Sequence, residues 1–153
     1  MTTWAPPEGR ALTVPRDTAR AMSQENVEIV RRGYEKFNRT GELDPDDWDP
    51  DAVFDNSNAI FADPGVYRGF NRIREFFIDQ GEMWKSQRYE PEEFIAVGVD
   101  QVVVPQRIVS VGRDGVEVVA YTANLFTLHA GKVTEMKNFQ TKAEALEAAG
   151  LSE

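Results

Sequence analysis

Arg107, Asn124, Asn138 and Gln140 are polar residues set into stretches otherwise rich in valine, leucine and phenylalanine. A guanidinium is a rigid fork of donors, and a primary amide offers two donor hydrogens and an acceptor oxygen. Gathered in an apolar setting, such groups can hold a planar oxygen function of a small molecule. Other chemistries are closed. The single histidine, His129, lies in a turn-like His-Ala-Gly sequence, and there is no cysteine. Histidine-dependent nucleophiles, thiolate metal sites and disulfides are therefore excluded. The carboxylates cluster at 42–51 and 90–93 without the spacing of a calcium loop, so no metal is expected. No phosphate-binding glycine loop or dinucleotide fingerprint occurs, and no cofactor is expected.

The elements that must position these residues run from Gln101 to Gln140, read as three antiparallel strands. Asp114-Gly115 suits a two-residue hairpin turn, and His129-Ala130-Gly131 suits a three-residue turn with a glycine bulge. These turns set Asn124 opposite Pro105 and Met136, and Thr122 opposite Arg107 and Asn138. Alternation then gives one face Arg107, Val109, Thr122, Asn124, Phe126, Met136, Asn138 and Gln140. The other face carries Gln106, Ile108, Tyr121, Ala123, Leu125, Lys137 and Phe139. A slip of one residue at Asp114-Gly115 would exchange Arg107 for Gln106.

The chain of 153 residues is the size of one domain, with 41% apolar and 28% charged residues. A net charge of −9 argues against nucleic acid or an anionic membrane as partner. No apolar run reaches membrane-spanning length and the first residues lack a signal-peptide core, so a cytoplasmic protein is expected. Residues 1–22, with Pro6, Pro7 and Pro15, read as a flexible extension, and 23–153 as the domain. Ser23 is a candidate cap for a helix with Val27, Val30, Tyr34 and Phe37 on one stripe, ended by 38–41. A short helical turn anchored by Trp48 follows, then a strand over 52–61 with Phe54 and Asn56 on one face and Asp55 on the other. Asp63-Pro64-Gly65 is a turn. A helix over 70–84 has Ile73, Phe76, Phe77 and Gln80 along its buried stripe, and a strand spans 89–97. Thr141 and Glu144 form a capping box for a last helix stopped by Gly150. Helices early and antiparallel strands late define an α+β fold: a strongly curved antiparallel sheet wrapped around the N-terminal helices, leaving a conical pocket.

Several motifs, taken together, resemble the SnoaL-like group of the nuclear transport factor 2-like, cystatin-like α+β superfamily. They are Ser-Gln-Glu-Asn-Val-Glu at 23–28, Phe37-Asn38-Arg39, Asp49-Pro50-Asp51, Val66-Tyr67-Arg68-Gly69, Glu92-Glu93-Phe94, Gly131-Lys132-Val133 and the stretch 144–151. That superfamily houses isomerases, cyclases, hydrolases and non-catalytic binders, so the resemblance implies a fold more than an activity. The positions matching the two aspartates of ketosteroid isomerase-like members are Asn56 and Asn124, and the tyrosine of their first helix matches Gly33, beside Tyr34. The positions matching the limonene epoxide hydrolase-like trio are Pro105, Arg107 and Asn138, which the resemblance places in the hollow. Neither carboxylate set is present. Asp55 is the nearest match to the pocket aspartate of the polyketide cyclases.

The residues expected to bind a ligand are Asn56, Arg107, Thr122, Asn124, Met136, Asn138 and Gln140. Three readings compete. One is a pocket for a small, largely apolar ligand bearing a carbonyl or carboxylate. Another is an isomerase, cyclase or hydrolase acting on such a molecule. The third is a dimeric interaction module, with a homodimer formed through Ile108, Tyr121, Leu125 and Phe139 on the outer sheet face. The asparagines can instead satisfy one another, and Arg107 can pair with a carboxylate.

Overall fold

A computed structural model describes residues 15–60 and 63–150. The elements are α1 (Arg16–Thr40), a 3₁₀ turn (Pro45–Asp47), β1 (Trp48–Asp55), β2 (Val66–Arg68), α2 (Phe70–Met83), β3 (Ser86–Pro91), β4 (Ile95–Val97), β5 (Gln101–Val111), β6 (Glu117–His129), β7 (Lys132–Phe139) and α3 (Lys142–Ala148). This is the expected α+β order. The sheet is mixed rather than wholly antiparallel: its order is β2-β1-β7-β6-β5-β3, with β4 also on β5, and β1 runs parallel to β7. It is curved and unclosed. Extra residues in β1 between Trp48 and Val53, and a bulge at Thr134 of β7, bend it around the helices. Among the described residues no helix is long and apolar enough to cross a membrane.

α1 starts at Arg16, not at a Ser23 cap, so the boundary expected at 22/23 falls inside a helix. Residues 16–21 contain no glycine or proline, Asp17 favours the first turn, and Pro15 is tolerated just before it. The Ser23 hydroxyl donates to Gly98 O at 2.8 Å instead, and Asn26 donates to Val99 O at 2.7 Å. Further along, Asn38 donates to Tyr89 O and accepts from Tyr89 N, so three polar side chains tie α1 to the sheet. Gly41 ends the helix in the left-handed region, donating to Phe37 O. The rest of the proposed extension, 1–14, lies outside the described residues.

The expected strand over 52–61 begins earlier and stops at Asp55, and Val66–Arg68, read as following a turn, pairs with it as β2. The strand expected over 89–97 is two, β3 and β4, both on β5. Pro91 and Pro105, neither with an N–H to donate, lie at the break.

Both hairpins differ from expectation, in opposite senses. The first loop has three residues, Arg113-Asp114-Gly115: Gly112 N donates to Val116 O at 2.8 Å. Gly115 takes the left-handed position at φ +88°, and Asp114 Oδ1 accepts from Val116 N. The second loop has two residues, Ala130 and Gly131, both with positive φ as a type I′ turn requires. The second difference is absorbed by the bulge at Thr134, so the faces of β6 and β7 stay as expected, with Asn124 now opposite Asn138. The first is not absorbed. Thr122 lies opposite Gln106 and Tyr121 opposite Arg107, so every side chain of β5 changes face relative to expectation.

The main core lies between the concave sheet face and α1 and α2, with Ile29, Val30, Trp48, Phe54, Ile73, Phe76, Phe77, Val102, Val104 and Phe126. A second core lies on the outer face, where α3 covers Val103, Ala123, Leu125 and Phe139 with Ala145 and Leu146. The capping box of Thr141 and Glu144 is formed as expected. Leu125 and Phe139 are thus internal, and Ile108 lines the concave side. Of the side chains assigned to a dimer face, Tyr121 alone is open, 60% exposed.

Candidate ligand-binding site

The concave face of β5, β6 and β7 meets α1 through an unbroken chain of uncharged hydrogen bonds. Asn138 Nδ2 donates to Asn124 Oδ1 at 2.9 Å, and Asn124 Nδ2 donates to the Tyr34 hydroxyl at 3.1 Å. Tyr34 Oη donates to Gln106 Oε1 at 2.7 Å, and Gln106 Nε2 donates to Thr122 Oγ1 at 3.0 Å. Gln106 and Asn124 are each 1% exposed. Each member donates to the next, so the bonds polarise one another in a low-dielectric interior. The strands fix the sheet members by register, Asn124 directly opposite Asn138 and Thr122 opposite Gln106. α1 delivers Tyr34 through its buried stripe, with edge-on contacts to Phe94 and Phe126. Burial pushes the Tyr34 hydroxyl well above the ordinary tyrosine range, and the bond from Asn124 offsets only part of that. Burial does the same to Tyr89.

Beside this chain lies a hollow in two compartments that share Phe77, Tyr89, Gln106, Asn124 and Met136 as a waist. One compartment, about 70 Å³, lies under α1 and is mainly apolar, walled by Ile29, Val30, Phe37, Trp48, Phe126 and Val133. The other, about 90 Å³, is lined by Phe54, Phe76, Ile108, Asn56, Thr122, Asn138 and Gln140. Together they slightly exceed the roughly 150 Å³ that takes a benzene ring.

Six of the seven expected residues, Asn56, Thr122, Asn124, Met136, Asn138 and Gln140, therefore line the second compartment. The seventh does not. Arg107 is on the outer face, where Nε donates to Glu90 Oε1 at 2.8 Å and an Nη forms an ion pair with the same oxygen at 2.8 Å. Glu90 first, and then Tyr121, hold the guanidinium above its ordinary range. Pro105 and Val109 share that outer face, against both the strand reading and the epoxide hydrolase match. Gln106 takes the place expected for Arg107, an exchange of a cation for a neutral amide. Sequence reasoning missed two members of this chain, Gln106, which it set on the other face, and Tyr34, for which adjacency to Gly33 was the available signal.

Asn56 donates to Asp63 O at 3.1 Å, and Gln140 donates to Asn58 O. Asp55 faces away, accepting from the Ser57 hydroxyl and backbone N–H and pairing with Lys137 at 3.6 Å. Burial alone would raise its pKa, but those hydrogen bonds and the lysine charge outweigh it and hold the carboxyl below its ordinary range. The carboxylates that touch the hollow, among the described residues, are Asp44 and Asp47 at the rim of the apolar compartment. The Asp46 backbone N–H holds Asp44 below the usual range, whereas burial and then the Asp44 charge push Asp47 above it.

No family model matches this chain, and no curated protein does. Solved structures do. Bal32a, from a soil-derived mobile gene cassette, superposes with a TM-score of 0.68 at 19% identity, covering 76% of this chain and 89% of that one. TerC, co-crystallised with polyporic acid, gives 0.65 at 22% identity over 83% and 99%. A putative SnoaL-like polyketide cyclase from Jannaschia sp. CCS1 gives 0.61 at 23% identity over 85% and 94%. Further similar structures are of nuclear transport factor 2-like proteins. With its α1-backed curved sheet and the hollow between them, the chain has the SnoaL-like, nuclear transport factor 2-like α+β fold.

Proposed function

We propose that this protein binds a small, neutral, largely apolar molecule whose carbonyl or hydroxyl oxygen sits at the amide waist. The carrying observation is the uncharged chain from Asn138 to Thr122 beside an apolar hollow. Gln106 Nε2 and Asn124 Nδ2 each use one hydrogen within the chain, leaving a second for a ligand oxygen. Among the described residues, those lining both compartments include no lysine or arginine. A ligand carboxylate would enter without a counter-charge, past Asp44 and Asp47, and at the cost of its hydration. A ketone or alcohol carries no such penalty. Polyporic acid in crystals of TerC is a small molecule with a protein of this fold, which supports reading the hollow as a ligand site.

Binding without catalysis fits the site better than proton transfer does. The polar groups of the chain and the waist are amides, a threonine hydroxyl and two tyrosines held protonated, none of which takes a proton near neutral pH. Assembly as a homodimer is retained as a proposal for the part of the outer face that α3 leaves open, around Val119 and Tyr121. The test of the binding reading is a nuclear magnetic resonance titration with 4-propylcyclohexanone and with 4-propylcyclohexanecarboxylate. The ketone is expected to shift amide signals of β5 and β6 and to bind at least tenfold more tightly. Equal binding of the carboxylate, or no binding of the ketone, would refute the neutral-ligand reading.

A further inference from the structure

α1 presents Ile29, Gly33 and Phe37 at spacings of four, one above another on a single face, and all three line the apolar compartment. Gly33 breaks that strip in the middle of a long helix, at an ordinary helical φ where the fold does not need a glycine. Among the described residues, a Cβ at this position would meet nothing within 4 Å. Glycine is the poorest helix former after proline, so alanine or leucine would serve α1 better at this position. Its absent side chain leaves a gap between Ile29 and Phe37, beside the rim formed by Leu43, Asp44 and Asp47. The aromatic groups around the gap, Tyr34, Phe37 and Trp48, present apolar surface to whatever enters.

We propose that Gly33 is a specificity-determining residue: it holds open the apolar compartment so that the hydrocarbon end of a ligand extends there from an oxygen anchored at Gln106 and Asn124. This rests on the binding reading above and deepens it. The ligand class is a neutral ketone or alcohol with an apolar substituent opposite its oxygen. The oxygen end lies at the waist, and the substituent points along α1 toward Gly33. A side chain at position 33 would shorten the ligand that the hollow accepts without touching the amide chain.

The probes are cyclohexanone and its 4-methyl, 4-ethyl, 4-propyl and 4-butyl derivatives, titrated by nuclear magnetic resonance into the parent and into Gly33→Leu. In the parent, affinity is expected to rise up to about fourfold for each methylene that leaves water. In Gly33→Leu the rise is expected to vanish while cyclohexanone itself binds within twofold of the parent, and the melting temperature is expected to increase. A parent that binds every ketone equally would overturn the assignment of the compartment and leave the waist intact. The same rise in Gly33→Leu as in the parent would overturn the role of Gly33. A parent that binds none of the ketones would bring down the binding reading itself. Should Gly33→Leu lack a cooperative melt, Gly33→Met, with its adaptable thioether, carries the same comparison.

Discussion

Tyr34→Phe removes one oxygen atom and two hydrogen bonds from the centre of the chain. Gln106 Oε1 loses a donor at 2.7 Å and Asn124 Nδ2 loses an acceptor at 3.1 Å, both on side chains 1% exposed. Leaving a buried polar group unpaired costs about 1–3 kcal/mol each, so the two together set an upper range of about 2–6 kcal/mol. Both amides also line the apolar compartment, so a water molecule can enter the vacated space and recover part of that. The expected loss is about 2–4 kcal/mol, which a domain of ordinary stability survives. Urea unfolding followed by circular dichroism reads it as a midpoint lower by about 1–2 M at an unchanged slope. Adding Asn124→Leu should cost less than its separate effect, because the two changes break the same chain. The pH dependence gives an independent check. The folded Tyr34 is held protonated while the unfolded chain ionises near pH 10, so its contribution is complete below that pH and fades above it. The difference between parent and Tyr34→Phe should therefore be flat from about pH 6 to 9 and narrow above about pH 10. A midpoint shift below about 0.3 M would refute the hydrogen-bond chain as the organising feature of the hollow.

Arg107→Met should leave ketone affinity unchanged in the same titration, since its guanidinium pairs with Glu90 on the outer face. Leu125→Glu should abolish cooperative unfolding or solubility, because the carboxylate would be forced under α3, whereas Tyr121→Glu should stay folded and soluble; light scattering and thermal melts separate the two. Asp47→Asn should stabilise the fold at neutral pH. Its carboxyl is raised by burial and by Asp44, so the native state disfavours the charged form, and the gain should disappear as pH falls below the ordinary carboxylate range. Paired melts at pH 7 and pH 3 check this, and a destabilised Asp47→Asn at pH 7 would contradict it.

The fold was legible because its signals are local and repeated: the stripe through Val30 and Tyr34, the capping box at Thr141, and alternation along β6 and β7. The face of β5 was not, because it hung on one loop. Asp114-Gly115 is a strong two-residue turn signal, yet Gly112 accommodates the Asp114 carboxylate beside its Cα, where a Cβ would lie 2.7 Å from Oδ1. That closeness lets Asp114 cap Val116 within a three-residue loop. An error of one residue exchanged Arg107 for Gln106, and with them a charged site for a neutral one. At the other hairpin an error of similar size was harmless, since the bulge at Thr134 restored the faces. The partnership of Tyr34 with Gln106 and Asn124 joins residues distant in sequence, which no periodicity encodes. α3 covering Leu125 and Phe139 is likewise tertiary: the capping box announces the last helix, but nothing local says which sheet face it packs against.

The parallel pairing of β1 with β7 bears on how the molecule is made. β1 emerges early and finds its partner, through contacts such as Phe54 with Met136, only when nearly the whole chain is available. Until then its long edge has β2 alone on one side, and β6 lacks β7 on the other. Contacts of such long sequence separation slow folding, because loop closure is paid before they reward it. The hollow is therefore expected to be a late product of the folding reaction. Its hydrogen-bond chain is completed only as Asn138 arrives, and a chain ending before β7 would leave β1 and β6 as open strand edges prone to association. Stopped-flow refolding should show helical signal from α1 and α2 well before the environment of Trp48 becomes native, and ligand present during refolding should change the unfolding rate far more than the folding rate.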